Sequence, residues 1–585
     1  MADRRDDSSP PAFDVERLRA DFPILHQPIH GHPLAYLDNG ATTQKPRAVI
    51  DAVARFYEQS NANIHRAVYT LAQQSTEQFE HARVKVQKFI NARESAEVIF
   101  TKGTTDAINL VASSFGQKFV HAGDEIVISA LEHHSNIVPW QLLCERTGAT
   151  LRVIPIDERG EVLLDQLPAM LSAKTKLVSI SHLSNSLGTI IDIDRVISLA
   201  HGVGAKVLID GAQWVGHFKT DVQQLDADFY VFSAHKLFGP TGVGVLFGKR
   251  ELLDAMPPYQ GGGDMIRTVS FEKSTWAELP SKFEAGTPDI SGVIALGAAV
   301  DYVTTNIDFT ATARHEHDLL ERATAELSAI PNLRVVGTAR DKAAVLSFVF
   351  DRPGLDPHTV GTLLDLEGVA VRTGHHCCMP VMTQYKIPGT IRASFAFYNT
   401  HEDVDRLVAG VKKIVASLGQ HTPQQSTQES TQVFAPATPA RESPAVAAAE
   451  LESDFALFDD WEQKHEYLLD LGMKIAPMAA VLKSEATKVA GCQSTVHLFA
   501  RKQPGSTDTL EFVADSDAFI VRGLIALIEK VYNGRSSRDV LAFDIQAFFE
   551  RLGLGHHLSM GRRNGLSSIV DRVRGLARTI SGESR

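Results

Sequence analysis

The sequence predicts an α/β protein: a doubly wound, mostly parallel sheet with an α+β C-terminal subdomain, followed by a separate small α+β domain. Three observations predict it. Apolar, β-branched runs recur near 97–101, 125–129, 176–181, 205–210 and 228–232, and segments of helical spacing lie between them. Small and polar residues gather where these runs end, which is where an open α/β sheet holds its ligand. After residue 418 the composition turns to Gln, Ser, Thr, Pro, Ala and Glu as far as 453, and amphipathic spacing resumes at 461.

At 585 residues the chain exceeds a single core, so about two to four domains are expected. With 58 basic against 70 acidic residues the net charge is −12, which offers no electrostatic footprint for nucleic acid. The first ten residues are polar and carry acids, unlike a signal or transit peptide, and no later apolar run is long enough to span a bilayer. The expectation is a cytoplasmic enzyme with no membrane partner. Four cysteines, Cys144, Cys377, Cys378 and Cys492, are too few and scattered for a disulfide framework, which fits a reducing compartment.

Residues 1–33 read as an N-terminal arm with helical spacing over 13–22. The large domain, 34–289, opens with a strand and turn at 34–43 and a helix from about 46, and a loop at 63–66 carries His65. The run at 97–101 leads through a small-residue turn into a helix beginning near Thr104. Amides at that helix start, with the hydroxyls of Thr104 and Thr105, suit a phosphate, although Thr104 serves equally well as an N-cap. Strand 125–129 delivers Glu132, His133 and His134; an imidazole here can stack on a planar ring and move protons. The adjacent histidines could instead ligate a metal, but no second ligand pair at zinc-site spacing follows.

The strand at 176–181 ends in polar residues that include Asn185, and a helix over 193–202 returns the chain to the strand at 205–210, whose C-terminal end delivers Asp210. Next, two apolar runs flank Ser233-Ala-His-Lys236 and a Gly/Pro turn. Held among Phe232, Leu237 and Phe238, Lys236 loses hydration, which lowers its pKa and makes it an amine nucleophile for a Schiff base. A carboxylate such as Asp210 can keep a pyridinium nitrogen protonated. Lysine and aspartate together form the pair that pyridoxal 5′-phosphate requires. The three glycines at 261–263 lack the strand-then-helix context of a phosphate loop.

Residues 290–418 read as the α+β subdomain: a helix to about 302, an amphipathic helix around 315–330, strands at 333–336 and 344–350, and a final helix from 402. Within it Cys377 follows Arg372, His375 and His376 in a Gly/Pro-bounded loop, where positive neighbours lower a thiol's pKa. His375, His376, Cys377 and Cys378 could ligate zinc or an iron–sulfur cluster, but four adjacent residues cannot all point at one metal ion without strain, so no metal is expected. Arg392 offers a bidentate guanidinium for a carboxylate, or a partner for a salt bridge. Residues 419–453 read as a disordered linker, whose flexible coil spans on the order of 30 Å. Residues 454–585 form the last domain, opening with a helix over 461–472 and placing Cys492 in a turn before a strand at 496–500. By itself such a cysteine reads as core packing.

The segments Asp210-Gly-Ala-Gln213 and Ser233-Ala-His-Lys236, with the His-His-Cys loop at 375–377, resemble the class V aminotransferase branch of fold-type I pyridoxal-phosphate enzymes, and within it SufS-type cysteine desulfurases. Gly491-Cys-Gln-Ser494, residues 515–517, the helix 523–532 and residues 558–562 are similar to SufE-type sulfur acceptors. The resemblance implies the following roles. Thr105, Ser233, His235, Asp210 and Gln213 bind the cofactor, Lys236 carries it, and His133 stacks on it. Asn185, Arg372, Arg392 and His65 lie on the substrate side. Thr287 reaches the cofactor phosphate of the other subunit of a homodimer. Cys377 is the nucleophile, Cys492 accepts its persulfide, and Arg562 lies near the partner interface. Cys378 departs from the pattern, where alanine is usual, and Thr495 and His497 depart from the residues that usually follow the acceptor motif. The implied activity turns L-cysteine into L-alanine and passes sulfur, within a chain or across protomers, toward a Suf-like iron–sulfur scaffold. Selenocysteine lysis, sulfur delivery to another thiolation pathway and a non-catalytic sulfur scaffold are the rival readings.

Overall fold

The computed structural model describes residues 13–352, 355–419, 442–458, 461–491, 494–557 and 560–582. The chain forms two compact units, one running to Val349 and including Leu363–Lys412, the other comprising Phe350–Thr362 and the residues from Lys413 onward. The boundary expected at 289 therefore separates no compact bodies.

In the first unit seven strands form one sheet: β1 (Val98–Thr101), β2 (Glu125–Ser129), β3 (Thr150–Ile154), β4 (Thr175–Ser181), β5 (Lys206–Asp210), β6 (Phe229–Ser233) and β7 (Gly244–Gly248). Their order is β1-β7-β6-β5-β4-β2-β3. Pairings among β2 to β6 are parallel, whereas β7 runs antiparallel to both β1 and β6. The near-continuous apolar runs are explained by burial on both faces: β6 and β7 are buried at every residue. Helices α1 (Thr104–Phe119) and α2 (Ile193–Gly202) connect the strands and cover them.

Register brings the polar strand ends together. Ser181 pairs with Asp210, and Ser233 with Gly244, which also faces Thr101. Gly244 is required there, because a Cβ would sit 2.4 Å from the Cα of Gly103, the N-cap of α1. The start of α1 is thereby pressed against the end of β6.

Helices α3 (Ile290–Asn306) and α4 (Phe309–Ser328) precede a four-stranded sheet of β8 (Leu333–Val336), β9 (Val345–Phe350), β10 (Arg372–Gly374) and β11 (Thr390–Ser394), ordered β8-β9-β11-β10. On β10 and β11, antiparallel neighbours, Arg372 lies directly opposite Arg392. Helix α5 (His401–Gly419) follows.

The expected linker ends earlier than 453. Residues 420–441 lie outside the described residues, but Pro444–Phe455 is a helix, α6, capped by Ser443, whose side chain accepts the Val446 amide, and it buries Ala447, Ala448, Leu451 and Phe455. Alanine and glutamate favour helix, and proline suits a first helical position, so the composition that reads as linker was compatible with both. In the second unit α7 (Trp461–Lys474) packs on α8 (Phe519–Tyr532), beside an antiparallel sheet of β12 (Val496–Lys502), β13 (Thr509–Ser516) and β14 (Arg535–Ser536) and a final helix α9 (Met560–Ser581). Among the described residues no single helix is long and apolar enough to cross a membrane.

Candidate active site

A cavity of about 310 Å³ opens at the carboxyl ends of β4, β5 and β6. Eleven of the residues singled out in the sequence line it: Thr105, His133, Asn185, Asp210, Gln213, Ser233, His235, Lys236, Arg372, Cys377 and Arg392. They come from separate strands and loops, and the sheet order alone brings them together.

Lys236 closes a single 3-10 turn, Ala234–Lys236, after β6. That turn is fastened from the opening segment: the Thr43 amide donates to the His235 carbonyl at 3.0 Å, Lys45 Nζ donates to it at 3.1 Å, and the Phe238 amide donates to Thr43 Oγ1 at 2.9 Å. Burial lowers the Lys236 ammonium to about 8, with Asp210 opposing the shift and Arg392 adding to it. Burial in turn raises the Asp210 carboxyl, against the Ala212 amide that donates to it at 3.0 Å and the charge of Lys236. Gln213 Nε2 donates to the Gly40 carbonyl at 2.7 Å.

At the start of α1 the Thr104 amide donates to Ser233 Oγ at 2.8 Å, and the two hydroxyls lie 2.8 Å apart. His133 stands across the cavity with its Nδ1 accepting the Ser135 amide at 3.1 Å, so its neutral ring carries the proton on Nε2. Burial, with Lys236 next in effect, lowers it to about 3 and keeps the ring neutral. Beneath it Glu132 is fully buried and accepts from Ser129 at 2.5 Å, from Asn136 at 2.6 Å, and from the Ser181 hydroxyl and amide at 2.6 and 3.1 Å. Burial nonetheless pushes its carboxyl up to about 7.

Asp38 bridges the facing arginines: Arg372 reaches it with Nε at 3.0 Å and a terminal nitrogen at 2.8 Å, and Arg392 with one at 3.0 Å. Arg392 also donates to the Asn185 carbonyl at 2.8 Å. Its Nε, like His235 Nδ1, is buried without a partner. Unpaired buried nitrogens of this kind call for a ligand.

Cys377 is exposed on the cavity wall, and it and His376 both hold left-handed backbone, φ 56° and 51°. For residues with a Cβ that conformation costs about 1–2 kcal/mol each, so the surroundings must impose it. Asn185 Nδ2 donates to the His376 carbonyl at 2.7 Å. Cys378 points the other way. It is buried, its thiol donates to Asn185 Oδ1 at 3.1 Å, and burial pushes that thiol up to about 12. A thiol held protonated and away from the cavity is a poor competitor for sulfur.

Two expected residues lie elsewhere. His65 does not line the cavity; its Nε2 meets Glu80 at 3.0 Å and its ring packs edge-on to Phe79, so in this chain the substrate-side position expected for it is not met. Thr287 is also outside this cavity. Cys492 lies outside the described residues, as does the side chain of Arg562. Residues that sequence reasoning missed are Asp38 and Ser181, whose partners stand up to 354 positions away along the chain. No local spacing could have signalled them.

A strand-end lysine facing an aspartate, a covering imidazole and a hydroxyl-lined helix start define a pyridoxal-phosphate enzyme of fold type I. The family model for class V aminotransferases matches residues 35–407, and that for the SufE Fe–S metabolism associated domain matches 449–577. A cysteine desulfurase of Enterobacter sp. is 52% identical over 409 residues, 70% of this chain and 100% of that protein. One from Synechococcus elongatus is 52% identical over 402 residues, 69% of this chain and 64% of that protein's length. Among solved structures, the cysteine desulfurase CsdA of Escherichia coli superposes with a TM-score of 0.65 at 40% identity, covering 69% of this chain and 99% of that one. The cysteine desulfurase of Thermococcus onnurineus does so at 0.65 and 38%, covering 71% and 100%. The chain belongs to the class V aminotransferase family, in its cysteine desulfurase branch, and carries a C-terminal SufE domain. Its cofactor is pyridoxal 5′-phosphate, which the unpartnered His235 Nδ1 and the Lys236–Asp210 pair fit.

Proposed function

We propose that the chain converts L-cysteine to L-alanine, keeps the sulfur as a persulfide on Cys377 and passes it to Cys492 for iron–sulfur cluster assembly. The observation that carries this reading is the exposed Cys377 thiol on the wall of the cavity that also holds Lys236, Asp210 and Arg392. Bound there, pyridoxal phosphate supplies the electron sink that loosens bonds at the substrate α-carbon. Thr105, Ser233 and His235 would hold its phosphate, Asp210 its ring nitrogen and His133 its face.

Lys236, with its amine tuned to about 8, is suited to taking the α-proton near neutral pH. Arg392, held by Asp38 and the Asn185 carbonyl, would grip the substrate carboxylate, with Arg372 beside it. The Cys377 thiolate then attacks the substrate sulfur. A sulfur–sulfur bond forms, the carbon–sulfur bond breaks with its electron pair left on the substrate, and alanine is completed by one proton added at the β-carbon and one returned to the α-carbon. Thiol exchange moves the outer sulfur to Cys492. The protein works as a cytoplasmic homodimer in this reading, with Thr287 reaching the partner's site and a Suf-like scaffold receiving the sulfur.

Intact-mass mapping after addition of L-cysteine to wild type, Cys377→Ala and Cys492→Ala, with alanine release followed in parallel, tests the relay. Sulfur should reach Cys492 only when Cys377 is intact. Loading of Cys492 in Cys377→Ala would remove Cys377 from the role of nucleophile.

A further inference from the structure

The loop bearing Cys377 is anchored by a residue that does not line the cavity. The His134 amide donates to the Cys377 carbonyl at 2.8 Å, and His134 Nε2 accepts the Met379 amide at 3.1 Å. On the same side His375 Nδ1 accepts the Cys377 amide at 3.0 Å, and the two imidazoles face each other at 5.6 Å with a 33° tilt. We propose that His134 is a positioning residue: through its amide and a neutral imidazole it holds the left-handed Cys377 loop in the geometry that presents the thiol to the cavity. The inference rests on the reading of Cys377 as the nucleophile.

The loop needs such an anchor, because His376 and Cys377 in succession occupy a conformation that a free chain leaves. Asn185 fixes the His376 carbonyl and the Cys378 thiol, and the Cys377 carbonyl and the Met379 amide are fixed by His134. The chemistry of the contact fixes the protonation state. An Nε2 that accepts an amide cannot carry a proton, so the ring must be neutral with its proton on Nδ1. Burial and the facing His375 both lower the His134 pKa and favour that state. The titratable groups around it are His375 and His133, whose ring lies 6.2 Å away, with Cys377 on the loop it holds. Protonation would set a donor against the Met379 amide, so the anchor fails as pH falls through the His134 pKa, below the ordinary histidine value.

The holoenzyme of full length is compared as wild type, His134→Ala, His134→Gln and His375→Gln, by steady-state kinetics and by amide exchange of peptides spanning 375–382, corrected for intrinsic pH dependence. Loss of the anchor should lower kcat about tenfold with KM within about twofold, and speed exchange of the loop about tenfold, as expected for loss of a hydrogen bond to backbone. His134→Gln, whose amide oxygen accepts at every pH, should keep both and lose the acid limb assigned to His134; His375→Gln separates any limb owed to its neighbour. Wild-type kcat and exchange in His134→Ala would overturn the proposal, and so would His134→Gln as impaired as His134→Ala. Should His134→Ala fail to fold, an acid limb unchanged in His134→Gln overturns it. Cys377→Ala that still releases alanine would defeat the nucleophile reading instead, leaving the exchange result to judge the anchor.

Discussion

Lys236 shows how much of the chemistry is a matter of solvation. Moving its amine from 10.5 to about 8 leaves about one-quarter of it uncharged at pH 7.5, against about one in a thousand for an ordinary lysine. Competitive acetylation of the cofactor-free protein should therefore titrate Lys236 near 8, with the surface lysines following well above it; a midpoint near 10 would show that burial is not tuning the amine. The same shift has a sign for stability. Below about 8 both folded and unfolded states hold the proton, and the folded protein bears the full cost of burying the charge. Between about 8 and 10.5 only the unfolded state holds it, so this group's contribution to stability rises with pH over that window.

At the scale of elements, the contact between β7 and the start of α1 sets the site. Gly244→Ala would drive a methyl into the Gly103 backbone, so α1 must move and carry the Thr104 amide away from Ser233. Thermal denaturation should report a loss of about 1–3 kcal/mol, and equilibrium dialysis a weaker hold on pyridoxal phosphate. A variant with unchanged melting and unchanged cofactor affinity would mean that the close approach is not structural. This contact also marks the limit of what is legible in sequence. The strand runs at 98–101 and 206–210, the helix from Thr104 and the lysine turn could be read locally, because period and turn chemistry are local signals. The reversed direction of β7, the Asp38 bridge between two arginines, the burial of the Glu132 carboxylate and the inward turn of Cys378 depend on partners that only folding supplies. Helix α6 is hidden for another reason: its alanines and glutamates favour helix, but they follow a Gln-, Ser-, Thr- and Pro-rich run that reads as coil, and its apolar face acquires meaning only when buried.

For the whole molecule, the fusion of two modules makes the proposed sulfur transfer a question of concentration. In the proposed relay, a donor and acceptor joined in one chain meet at an effective concentration of up to about millimolar. Loading of Cys492 in the intact chain should then follow a first-order rate constant that stays within about twofold over a dilution on the order of a hundredfold. A rate that falls in proportion to dilution would mean that acceptor and donor meet only between separate molecules.

The opposite orientations of adjacent thiols carry a practical consequence for optical work on this protein. Among the described cysteines Cys377 alone is exposed; Cys378 is sealed, and Cys144 is half-buried with its thiol raised by burial. With Cys492 replaced by serine, a maleimide fluorophore should attach at one predominant position without any further engineering. The wild-type cavity thus comes with its own labelling handle, and a ligand that fills the cavity should slow attachment of the dye.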